Sequence, residues 1–168
     1  MAYLNDNPKI PIAAMSLAAL RQHVGPVTPV AGTRDDNALI VEPGDHRRQV
    51  WVKPGYSGYR GAWRHVHVHI PAQMDVDHIF NRARASALGY EYVRLFLCLD
   101  QTNQRHGAFL ERRLTRIERS RTRIVPHHDM LFASNWTIAK MAGIPIDRQS
   151  PTYNQHAALE WLNANNFI

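Results

Sequence analysis

The stretch that most restricts the fold is Tyr92 to Leu99, YVRLFLCL, in which Arg94 is the single charged residue among bulky and branched apolar ones. That content fits the pleated, enclosed surface of a sheet, so these residues are expected to form a buried strand. A helix is expected over Gln101 to Arg123, because Leu110, Leu114 and Ile117 recur at spacings of four and three and lay one apolar stripe on a core. Arg112, Arg116, Arg119 and Arg123 recur at four, three and four on the opposite side, as a row of arginines.

Upstream, the apolar runs ALIV and QVWV flank EPGDHRR, and the Pro43-Gly44-Asp45 turn signal makes Ala38 to Val52 a hairpin. PGYSGYRGAW, residues 54–63, has the glycine and aromatic content of an ordered loop. Trp63 to Ile70 alternates strictly, which predicts a strand with His65, His67 and His69 on one face and Val66, Val68 and Ile70 on the other. Residues 1–34, with four prolines around a short helix from Ala13 to His23, read as an arm. Residues 126–168 read as a helical extension with helices at Ser134 to Ala142 and Gln155 to Ala164. At 168 residues the chain makes one α+β domain of about 35–125 with these additions.

The chemistry concentrates in Asp75-Val76-Asp77-His78-Ile79, which sets an acid beside an imidazole where a strand ends. Neighbouring side chains on a strand point to opposite faces, so the backbone must bend for Asp77 and His78 to serve one centre. Asn103 follows in the first turn of the basic helix and offers a hard, neutral amide oxygen. A carboxylate with an amide carbonyl suits Mg²⁺ or Mn²⁺, which leave positions to water and phosphate. A histidine titrating near neutrality suits activation of water. Together the three residue types match hydrolysis of a phosphodiester.

DVDHI, then a strand, then TNQRHG opening a helix, resembles the HNH endonucleases, including the HNH domain of RNA-guided CRISPR nucleases. The resemblance covers residues 75 to about 120. It implies an HNH-type, ββα-metal core over 64–123, with an N-terminal hairpin region before it and a helical tail after it. Asp77 would be a metal ligand, His78 the general base and Asn103 the second ligand, with His106 one turn later as a third ligand or a phosphate contact. The implied activity is metal-dependent cleavage of DNA, with RNA as the other candidate substrate. Arg82, Arg105, Arg112, Arg116, Arg119 and Arg123 would grip the backbone. Defence against phage, toxicity between bacteria and mobile elements are the settings implied, and a toxin calls for a neutralising protein partner. GYEYVRL lacks the middle Asn of the family pattern, and without CxxC pairs no structural zinc is expected.

Charge agrees with a polyanionic partner: 20 Lys+Arg against 14 Asp+Glu leave a net charge of +6, carried almost wholly by arginine. Cys98 is the only cysteine, which excludes an internal disulfide and points to a reducing compartment such as the cytoplasm. No apolar run reaches the length of a membrane span. Two other classes stay open. The His65, His67 and His69 strand could carry zinc or iron, and a degenerate ββα unit could bind nucleic acid without cutting it.

Overall fold

The computed structural model describes residues 10–34, 36–44, 47–112, 128–144 and 164. Mixed α and β elements are arranged on a curled antiparallel sheet: β1 (Pro11–Ala14), α1 (Leu17–His23), β2 (Val27–Pro29), β3 (Ala38–Val41), β4 (Gln49–Val52), α2 (Tyr59–Val66) and β5 (Met74–His78). There follow α3 (Arg82–Leu88), β6 (Tyr92–Leu99), α4 (Asp100–His106), a π-helical turn (Gly107–Glu111), β7 (Met130–Phe132) and α5 (Asn135–Met141). The strand order is β2-β3-β4-β6-β1-β7, with β5 paired to β6 beside this path.

β6 is the hub, as its apolar content requires. Its first residues lie between β4 and β1, through Val93 opposite both Val52 and Ala13, and Leu95 to Leu99 then pair with β5. Tyr92, Val93, Leu95 and Cys98 are buried, and their neighbours divide between apolar clusters under α1, under α2 and under α3 with α5. The expected hairpin forms from β3 and β4, with Leu39 opposite Trp51. α3 stops at Gly89, whose φ of +80° belongs to the left-handed region that glycine enters freely. α4 begins one residue before the expected helix, and the π-helical turn interrupts it after His106.

Three expectations are corrected. Residues 10–34 are not an arm: β1 is an inner strand between β6 and β7, and Ile10, Ile12, Ala13 and Ala14 are buried, while residues 1–9 lie outside the described residues. The segment Trp63 to Ile70 is not a strand, and residues 54–63 are not wholly loop. Tyr59, Ala62, Trp63 and Val66 recur at helical spacing and turn one side of α2 onto β3 and β4. Beyond that helix the apolar positions do not share a face, since Val68 is 92% exposed while Ile70 packs on the core beneath α2. Residues 126–168 are not purely helical, because β7 adds a strand to β1. α5 lies where the first C-terminal helix was expected. The second, and the helix beyond Arg112 with Leu114 and Ile117, lie almost wholly outside the described residues.

Candidate functional site

Asp77 and His78 stand on opposite faces of the β5–β6 ribbon. Cross-strand partners share a face; Asp75 opposes Cys98 and Asp77 opposes Phe96, whereas Val76 opposes Leu97 and His78 opposes Leu95. Val76, Leu95 and Leu97 pack with Trp63 of α2, and Cys98 and Phe96 pack with Ile138 and Met141 of α5. Ile79 donates its backbone N–H to Arg94 O, so the ladder runs one bond past His78, and the chain bends only at Ile79 and Phe80. Asp77 therefore meets α4 and α5, and His78 meets α2.

On the Asp77 side a buried ionic cluster forms. Lys140 Nζ donates to Asp77 Oδ2 at 2.6 Å and to Glu111 Oε1 at 2.7 Å, and Asn81 Nδ2 donates to Glu111 Oε2 at 3.1 Å. The Asn103 amide lies near Asp77 and favours its charged form. Lys140 is 2% exposed. Burial works against its charge, but Asp77 and Glu111 outweigh that cost and hold its pKa above the ordinary lysine value. Burial also holds the Asp77 carboxyl above the usual carboxylate range, a rise that the Lys140 charge offsets only in part. A cavity of about 140 Å³ opens beside the cluster, lined in part by Asn81, His106, Glu111, Ser134, Thr137 and Lys140. A second, more open recess of about 300 Å³ is lined by Met74, Asp75, Asp100, Asn103 and Gln104.

On the other side His78 is 6% exposed, its ring centroid 4.5 Å from that of Tyr59, and its Nε2 has no hydrogen-bond partner among the described residues. Burial, then the charges of Arg82, Lys140 and Arg60, depress its pKa to about 4, so the imidazole is neutral near pH 7. Arg60 of α2 grips Asp75 with both Nε and Nη2, at 3.0 and 2.6 Å, and thereby joins the His78 side of the ribbon to the Asp77 face.

The other expected residues scatter. His106 is buried and its Nε2 lies 3.1 Å from Ile144 O; burial lowers its pKa. A ring N–H given to that carbonyl makes His106 a latch between α4 and the end of α5. Arg82, Arg105 and Arg112 are exposed, and Arg82 lines an open groove of about 490 Å³ with Pro54 and Gly55. Arg116, Arg119 and Arg123 lie outside the described residues. The proposed zinc or iron face does not form, because His65 is in α2, His67 caps that helix against Trp63 and His69 follows in irregular chain.

Sequence reasoning missed Lys140 and Glu111. Lys140 carried one signal, a lone cation inside the apolar run IAKMAGI. Among the described residues no three His, Cys, Asp or Glu side chains gather to hold a metal ion unaided. Two carboxylate oxygens nevertheless converge on one cationic point, with the Asn103 amide beside them. That hard-oxygen set fits an ion that keeps much of its water. No family model, curated protein or solved structure matches the chain.

Proposed function

We propose that this protein is a metal-dependent, HNH-type endonuclease that hydrolyses phosphodiester bonds in DNA. The observation that carries this reading is the approach of the Asn103 amide to Asp77 across a succession of strand, strand and helix, with a buried imidazole on the other face of β5 whose Nε2 has no hydrogen-bond partner among the described residues. β5, β6 and α4 supply the strands and helix of the ββα unit, and α3 occupies the connection between its strands.

His78 takes the proton from the attacking water at Nε2, which burial and nearby cations keep unprotonated. Asp77 and His78 act from the two faces of β5, whose only paired neighbour among the described residues is β6. A phosphodiester laid along the open edge reaches both sides, as the Arg60 side chain already does in meeting Asp75. Water reaches Nε2 when the Tyr59 ring swings off His78. Asp77 and Asn103 would hold Mg²⁺ or Mn²⁺, which supplies Lewis-acid stabilisation of the departing oxygen. Arg82, Arg105 and Arg112 hold backbone phosphates and carry little sequence information.

His78→Ala should abolish cleavage of plasmid DNA in Mg²⁺ or Mn²⁺ while leaving DNA retention nearly intact. Undiminished cleavage by that variant would sink the assignment. The deep burial of His78 favours a second reading, in which the ionic cluster is structural and the protein binds nucleic acid without cutting it. Retention of DNA with no cleavage in either ion selects that reading.

A further inference from the structure

Resting on the nuclease reading, we propose that Lys140 is the exchangeable occupant of the cation position, and that a divalent ion binds Asp77, Glu111 and Asn103 by displacing its ammonium into the adjoining cavity. The ammonium touches both carboxylates, so the trio Asp77, Glu111 and Lys140 carries two negative charges against one positive. A divalent ion seated between the two carboxylates would meet both oxygens with twice the charge of the ammonium it replaces. At 2.6 and 2.7 Å the carboxylate oxygens need to close by only about half an ångström each to reach a Mg²⁺ ion. The Asn103 amide lies near Asp77 and favours its charged form; turning the amide over presents its oxygen.

Exchange needs a way in for the ion and a place for the ammonium. Asn103 lines the open recess with Asp75 and Asp100, an acidic approach from solvent. Lys140 itself lines the cavity of about 140 Å³, whose walls include Ser134 and Thr137 as well as Arg84. Rotation of the flexible lysine stem carries Nζ from the carboxylates into that cavity. Glu111 belongs to the π-helical turn, a local widening that recurs at functional positions in helices.

The chain has three lysines, Lys9, Lys53 and Lys140, so amine labelling read by mass spectrometry follows each one separately. In the wild-type protein, Lys140 should be acetylated at least tenfold faster in Mn²⁺ or Mg²⁺ than in chelator, while Lys53, held by Asp36, stays unchanged. A Lys140 labelling rate indifferent to the ions overturns the exchange. Lys140→Met should bind Mn²⁺ at least tenfold more tightly than wild type by electron paramagnetic resonance, and equal affinity also overturns it. Labelling uses the unaltered chain and decides the matter even where Lys140→Met fails to fold. His78-dependent cleavage with unresponsive labelling defeats the exchange and spares the nuclease reading; responsive labelling without cleavage does the reverse.

Discussion

At His78, burial and charge act in the same direction. Both disfavour the imidazolium, so its pKa falls from about 6.5 in the unfolded chain to about 4 in the folded one. Between those values the unfolded state holds a proton that the native state lacks. Stability from this group is therefore intact above pH 6.5 and declines as pH falls through that window, by about 3 kcal/mol in all. The ring is 6% exposed, so solvent screens little of the effect. His106, also lowered by burial, adds a slope of the same sign. Urea midpoints from pH 7 to pH 4 should fall more steeply for wild type than for His78→Gln; identical slopes would mean the imidazole titrates normally. Asp77, His78 and Asn103 were legible as chemically capable residue types. Their division between two faces was not, because it depends on a ladder that runs straight through the acid and the base. Lys140 was harder still, since it meets Asp77 across 63 positions of chain.

Among the elements, those with a strong local period were readable. The β3–β4 hairpin, β6, the start of α4 and α5 follow from patterns contained within each stretch. α2 was misread because its last turn and the irregular chain after it together imitate a period of two. Helical spacing from Tyr59 competes with that alternation, and burial of Ala62 and Trp63 decides in favour of the helix. The two possibilities differ sharply for valines. Val68→Asp should change stability by less than about 0.5 kcal/mol, as surface substitutions do, because Val68 is open to solvent. Val76→Asp places a charge in the core beneath α2 and should unfold the protein. Thermal melts of the two variants check this, and comparable losses would restore a strand over Trp63 to Ile70. β1 and β7 escaped notice for another reason. Four and three residues are too few to display a period, and their partners lie far away in sequence.

Across the whole molecule, net charge gives a direct test of the proposed nucleic-acid interface. Arg82, Arg105 and Arg112 are exposed and belong to α3, α4 and the turn that follows. If each meets a phosphate, replacing all three by Ala should reduce the slope of log affinity against log salt by about two to three. An unchanged slope in binding titrations would show that the three only face water. The place of β1 between β6 and β7 has a consequence for synthesis. Ala13 pairs with Val93 and with Leu131, both made long after it. A nascent chain carries β1 unpaired past many codons, with a bare edge that invites other chains. A fragment of residues 35–125 lacks β1 and β7 together and should not fold alone, as the loss of a cooperative melt would reveal. The order of translation therefore runs against the order of assembly, and native structure awaits the arrival of β7.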